Sequence, residues 1–343
     1  MFGARYPIVL SPMGGIGTPE FAAAVSNAGG LGSLPAAYFT PAQIREQIAR
    51  TRSLTNAPFA VNLFVHEPTP LQADASPVQA LLAKYHRELG IDPPAVPAIP
   101  AQRYVDQVAA VLAARVPVFS FTFGIPSREV LDAFAASGTK LVGTATTVQE
   151  AVALADAGVD AISLQGAEAG AHRGTFLGPF EDAMVPLSDL LSQSKEAVPV
   201  PLIAAGGIRN GGEMRAMLDR GAAAVQMGTA FIPCPECAAP PVYKRLVLDG
   251  VGPGDTVVTR AFSGRPARGI PNRLIREMEQ ISESILPFPW QNAITRPLRT
   301  AAARTGNADF LSLWAGEGTG PMRQLPAAEL LRRIADEAGL NPA

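Results

Sequence analysis

The chain has 343 residues, 48% of them hydrophobic and 17% charged, with a formal net charge of −2. This composition supplies a large core, and the near-neutral charge excludes the basic footprint of a nucleic-acid binder or of a protein held on anionic membrane. No apolar window approaches the ~18 residues of a membrane span, the N-terminus carries no charged leader followed by an apolar run, and two cysteines make no disulfide framework, so a cytoplasmic protein is expected.

In chain order, short apolar runs recur: PIVLSP (7–12), GLGSLPA (30–36), FAVNLFV (59–65), VPVFSFTFG (116–124), KLVGTAT (140–146), DAISLQG (160–166), PLIAAGG (201–207) and AAVQMGTAF (223–231). Apolar nearly throughout, they read as strands buried on both faces. Alanine-rich stretches with helical spacing lie between them. TPEFAAAVSNAGG (18–30) has Thr18 as N-cap, Pro19 in the first turn and glycines at its end. SREVLDAFAASGTK (127–140), TVQEAVALADAGVD (147–160) and NGGEMRAMLDRGAAA (210–224) follow the same plan. Eight strands alternating with helices predict an α/β fold, a (β/α)8 TIM barrel, ahead of a doubly wound open sheet.

Two regions break the rhythm. Residues 66–105 are proline-rich and read as an insertion with one helix around SPVQALLAKYHRELG (76–90). From 232 onward the alternation stops: PNRLIREMEQISESI (271–285) is helical, LPFPWQNAITRPL (286–298) irregular, and two short helical stretches follow, ending in PAAELLRRIADEAG (326–339). The expected division is a barrel over 1–232, a mostly helical cap domain over 233–315, and a C-terminal helix in 316–343 packing back on the barrel.

Barrel chemistry sits at the C-terminal strand ends. The first strand leads to Met13, the third holds Asn62, and the sixth ends at Gln165 before GAEAGAHRGTF (166–176), which carries His172. Gly206–Gly207 and Gly228–Thr229 follow the last two strands, where barrels commonly hold phosphate: glycines let backbone N–H groups approach an anion. They equally suit plain tight turns. A phosphate there between apolar walls suits FMN. Asn62 and Gln165 are amides in apolar strands, to be paired with a flavin edge or with the chain itself. Small residues around His172 leave room for a ligand, and an ordinary imidazole accepts a proton near neutrality. His66 and His86, in the insertion, are expected at the surface. CPEC (234–237) lacks the further ligands of a zinc site, so no metal is expected. Arg265, Arg268, Arg273 and Arg276 in and beyond SGRPARGIPNRL (263–274) are either a solvated segment or ties between tail and barrel beside a cofactor phosphate.

Taken together, SPMGGIGTPEFAAAVSNAGGLGS, FAVNLF, QGAEAGAHRGTF, PLIAAGGI, AAVQMGTAF, SGRPARGIPNRL and GNADFLSLWAGEG resemble the class I nitronate monooxygenases, formerly 2-nitropropane dioxygenases, over nearly the whole chain. The resemblance implies a TIM barrel with a cap and one non-covalent FMN. It places flavin contacts on Met13, Asn62, Gln165, Gly170, Gly207, Gln226, Met227, Gly228 and Thr229, and the catalytic histidine on His172. It implies oxidation of alkyl nitronates, propionate 3-nitronate included, by dioxygen to carbonyl compounds and nitrite through a flavin semiquinone, with the histidine removing the α-proton where neutral nitroalkanes are accepted. The chain departs from many relatives at Thr122, where they carry histidine, and at Phe288, Trp290 and Asn292, where some carry tyrosines. These changes predict a wider or more apolar substrate range. The competing expectations are an NAD(P)H-dependent quinone or enoyl-thioester reductase on the same barrel, and a non-enzymatic sensor of a flavin or phosphate ligand.

Overall fold

In a computed structural model, residues 1–66, 70–99, 103–318, 320 and 322–340 are described. The strands are β1 (Ile8–Leu10), β2 (Gly32–Pro35), β3 (Phe59–Phe64), β4 (Val118–Thr122), β5 (Lys140–Ala145), β6 (Ala161–Gln165), β7 (Ala171–His172), β8 (Leu202–Ala205), β9 (Ala224–Met227), β10 (Val257–Thr259) and β11 (Ala267–Gly269). The helices are α1 (Pro19–Asn27), α2 (Pro41–Leu54), α3 (Ser76–Glu88), α4 (Arg103–Ala113), α5 (Arg128–Ala136), α6 (Val148–Asp156), α7 (Leu187–Ala197), α8 (Gly211–Asp219), α9 (Pro241–Leu248), α10 (Arg273–Glu279), α11 (Trp290–Thr305) and α12 (Ala327–Glu337). No helix among the described residues is long and apolar enough to cross a membrane.

Eight strands pair in parallel in the order β1-β9-β8-β6-β5-β4-β3-β2. Leu31 closes the seam, its N–H donating to the Ile8 carbonyl at 2.9 Å and its carbonyl accepting from Leu10 N at 2.9 Å. The fold is a TIM barrel. Alternate side chains of a strand face opposite sides, and the two sides carry separate cores. Val9, Leu31, Ala60, Val118, Val142, Ala161, Ile203 and Ala224 form one small cluster with the N-terminal Met1, Phe2 and Ala4 packed on it. The residues between them, such as Val61, Phe119, Leu141 and Ile162, belong to the large core beneath the helices.

The helix starts follow their caps. Thr18, Ser127, Thr147 and Asn210 each accept from a backbone N–H of the first turn. Helix α2, absent from the sequence reading, has a full capping box between Thr40 and Gln43. Helix α12 packs against α1 and α8, so the last helix of the chain stands between the first and last helices of the barrel's βα units. Its Leu330, Leu331 and Ile334 are buried, contributing roughly 1.5–3 kcal/mol each.

Three expectations change. The stretch 286–298 is irregular only as far as Pro289: Trp290–Thr305 is helical with Pro297 inside it. Proline removes an N–H and crowds the preceding turn, which led to the loop reading. Here Arg299 Nη2 donates to the carbonyl of Asn292 at 2.7 Å, and the buried Ile294 and Leu298 hold the helix to the core. The tail is also not free of strands, since β10, β11 and β7 form a three-stranded antiparallel sheet. The insertion's helix is present as α3, and α4 begins within the same expected segment; residues 67–69 and 100–102 lie outside the described ones. Helix α3 is bound to the tail by Tyr85 Oη donating to Glu277 at 2.7 Å and by the Arg273–Glu88 pair at 2.8 Å.

Candidate active site

The inward rows of the barrel turn polar toward their C-terminal ends. Two residues on from Ala60 comes Asn62; Val118 is followed by Ser120 and Thr122, Val142 by Thr144, Ala161 by Ser163 and Gln165, Ala224 by Gln226 and Gly228. These polar residues line one cavity of about 220 Å³, far above the ~10–15 Å³ that a single water requires. Met13, Asn62, Gln165, Gly170, His172, Gly206, Gly207, Gln226, Met227, Gly228 and Thr229 all line it, so every site residue expected from the sequence meets in one place. The tail covers the opening with Tyr243, Asn292, Arg299, Ser312 and Trp314.

The segment after β6 is held from several sides. The Gln165 side chain donates to the His172 carbonyl and accepts from Gly174 N, both at 2.8 Å. This amide therefore pairs with its own loop, one of the two alternatives open for it. Arg173 turns away from the imidazole: its fully buried guanidinium donates to the carbonyls of Gly166 (2.7 Å), Gln165 (3.0 Å) and Ala183 (3.0 Å). Strand β7 sets His172 opposite Ala267 and Ala171 opposite Arg268. Ala171 has φ of 64°, a strained left-handed conformation for a residue with a Cβ. The glycine beside it is required by packing as well: a Cβ on Gly170 would lie 2.5 Å from the backbone of Ala315.

His172 stands among aromatic rings, with centroids 6.0 Å from Phe64, 5.9 Å from Phe123, 6.2 Å from Phe288 and 5.7 Å from Trp314. Burial, assisted by the Arg265 and Arg299 guanidinium groups, pushes its pKa down to about 3. The imidazole is thus neutral throughout the working pH range, but a far weaker base than the ordinary value assumed from sequence. Its Nε2 lies 2.8 Å from Ser263 Oγ, which also approaches the Arg265 carbonyl (3.1 Å) and Arg265 N (3.3 Å). With the serine proton directed to that carbonyl, Nε2 carries the imidazole hydrogen and Nδ1 is the basic nitrogen. Ser263→Ala should lower turnover of a neutral nitroalkane about tenfold, the worth of one hydrogen bond of ~1.4 kcal/mol; steady-state kinetics check this.

Asn62 Nδ2 donates to Ser120 Oγ at 3.1 Å, and Ser163 Oγ donates to Gln226 Oε1 at 3.3 Å. Gly206 and Gly207 have φ of 137° and 70°, and a Cβ on Gly207 would lie 2.8 Å from the Glu317 carbonyl. Among the described residues the N–H groups of Gly207 and Gly228 meet no backbone acceptor. Donors left open at this end of the cavity suit an anion such as a phosphate.

Of the departures noted in sequence, Thr122 pairs with Thr144 at 3.3 Å on the cavity wall, Asn292 lines the cavity, and Phe288 packs on His172, whereas Trp290 is not among the lining residues. Neither histidine of the insertion is at the surface. His86 is 1% exposed, with Asp92 of the insertion against its Nδ1, and His66 is half-buried with its ring 5.0 Å from Phe288 of the tail; this packing was invisible to a local reading. Both cysteines are buried free thiols, pushed up in pKa by that burial. The arginines do tie tail to barrel. Arg268 binds the Ala167 carbonyl (2.9 Å) and Glu317 (2.8 Å), and Arg265 stacks 3.8 Å above Phe123. Arg273 holds the insertion, and Arg276 is exposed. Tyr38, Ser263, Arg299 and Trp314 were missed, since nothing local marks them as neighbours of the strand ends.

A family model described as nitronate monooxygenase matches residues 1–337. A probable nitronate monooxygenase of Staphylococcus aureus strain Newman is 39% identical over 341 residues, covering 98% of this chain and 95% of the relative. Among solved structures, a nitroalkane oxidase from Streptomyces ansochromogenes superposes with a TM-score of 0.89 at 41% identity, covering 98% of this chain and 96% of the other. FabK from Thermotoga maritima superposes with a TM-score of 0.76 at 27% identity, covering 98% and 93%.

Proposed function

The chain belongs to the nitronate monooxygenase family, and from that premise we propose that this oxidoreductase uses one non-covalent FMN to oxidise alkyl nitronates, propionate 3-nitronate among them, with dioxygen to carbonyl compounds and nitrite. The observation that carries the reading is the convergence of His172, the polar strand ends and the two glycine loops on one cavity. The residues fit a flavin phosphate: Gly206–Gly207 and Gly228–Thr229 would hold it on backbone N–H groups, while Met13, Asn62, Gln165, Gly170, Gln226 and Met227 would border the ring. When bound, FMN supplies the acceptor through which the substrate's electrons reach dioxygen.

The protein's own part is to exclude water, orient the substrate and hold a proton. Phe64, Phe123, Phe288 and Trp314 keep the neighbourhood of His172 apolar. A preformed nitronate needs no base. A neutral nitroalkane would give its α-proton to Nδ1 of His172, a transfer helped by the negative charge that forms beside the new imidazolium. The domain division belongs to the same proposal: barrel 1–232, cap 233–315 shielding the reaction, and 316–343 returning to the barrel.

The test is oxygen uptake and nitrite release on adding propionate 3-nitronate to FMN-loaded protein in air. Both should rise together. The FabK likeness favours a second reading, an NAD(P)H-dependent reductase. Rapid anaerobic bleaching of the flavin by NADH, without nitronate turnover, would put that reading first.

A further inference from the structure

One cation of the cavity pairs with no carboxylate among the described residues, although Glu317 also lines the cavity, where it pairs with Arg268. Two arginines line it, Arg209 and Arg299. Arg209 directs its guanidinium to backbone carbonyls, including Gly316 at 2.9 Å and Val251. Arg299, projecting from α11, is different. Only Asn292 accepts from it, at 2.7 Å through its carbonyl and at 2.8 Å through Oδ1, both from Nη2, and its Nε, like that of Arg209, has no partner among the described residues. No carboxylate among the described residues pairs with it. Its charged or titratable neighbours are the Tyr38 phenol, Arg296 on the same helix and His172.

A charge on a largely enclosed cavity wall without a carboxylate partner is costly, and Arg299 is half-buried with its Nε fully so. A planar guanidinium fixed at one corner, with donors left over, matches a planar oxyanion. We propose that Arg299 is the anion-binding residue of this cavity, holding the planar, negatively charged nitronate group and selecting anionic substrates over neutral nitroalkanes. This deepens the proposed function and rests on it. Asn292 is then a positioning residue, which fixes Nη2 and leaves the other guanidinium donors to the ligand. The consequence for His172 is direct: an anion on Arg299 offsets one of the two positive charges that disfavour imidazolium.

Inert planar nitrate is the probe. Calorimetric titration of the wild-type protein should show binding, weakened about tenfold or more in Arg299→Met and only partly in Arg299→Lys. The KM for propyl-2-nitronate should rise in parallel, with kcat changed much less. A readout that packing alone would not move is the imidazole NMR titration: Arg299→Met should raise the His172 pKa, and nitrate should raise it in wild type only. If Arg299→Met does not fold, Arg299→Gln and Arg299→Lys carry the same titration. Equal nitrate affinity in wild type and folded variants, or none in wild type, overturns the proposal. Nitrate binding that depends on Arg299 in a protein without nitronate turnover would sink the proposed function and leave the anion site standing. Turnover with an unchanged KM in Arg299→Met would do the reverse.

Discussion

His172→Asn should lower turnover of neutral nitroalkanes by about 10²–10⁴-fold, the range of a lost general base, while oxidation of a preformed nitronate falls far less. Asparagine keeps the polarity and much of the volume but accepts no proton. Comparing 2-nitropropane with propyl-2-nitronate on the same FMN-loaded preparation separates the two effects, and equal losses on both would assign His172 to binding instead. The pH dependence follows from burial. Because the imidazole pKa is pushed down to about 3, the neutral form that accepts protons is lost only as pH falls toward that value. The pH profile of kcat/KM on the neutral substrate should therefore show no histidine limb near 6.5. A limb there that vanishes in His172→Asn would mean that the aromatic enclosure is open in solution.

Glu150→Ala should destabilise the protein by about 3–5 kcal/mol, the scale of a broken buried charge network. Glu150 is fully buried in the first turn of α6. It accepts from Thr146 N (2.6 Å), Thr146 Oγ1 (2.7 Å), Leu177 N (2.8 Å) and Phe176 N. Its charge also offsets that of Arg265 and, together with Glu168, that of Arg173. Alanine would strand donors on both sides of the His172 segment and take a counter-charge from the buried Arg173 and the half-buried Arg265. Denaturant unfolding measures the loss, and Glu150→Gln, which keeps an acceptor but no charge, should fall between. A change below ~1 kcal/mol in Glu150→Ala would show that water replaces the carboxylate.

The barrel was legible because its signals are local. Apolar runs, capping residues such as Thr18 and Asn210, and glycines at helix ends declare strand and helix within a dozen residues, and the count of eight follows. The positions lining the cavity were legible for a related reason: in a parallel barrel every strand delivers its C-terminal end to the same face, so Asn62, Gln165 and Gly228 converge whatever their separation in sequence. The chemistry of the individual residues was less accessible. Gln165 looked equally suited to a flavin and to its own backbone, and only the fold shows its amide spent on His172 and Gly174. His172 looked like an ordinary base, and its proton affinity is lowered by burial and by the Arg265 and Arg299 guanidinium groups that only the fold brings to it.

By itself, then, the sequence determined the βα alternation, the family and the ring of strand ends, since these rest on short-range periodicity and on motifs that survive without their partners. The tertiary structure alone decided which tail residues cover that ring. The proline-marked segment around Pro297 read as a loop, and it is a helix because buried contacts hold it. Ser263, Arg299 and Trp314 reach His172 only through packing between segments far apart in the chain. Hydrogen bonds, burial and charge act through space, so the polarity and basicity of the site exist only once those segments have met.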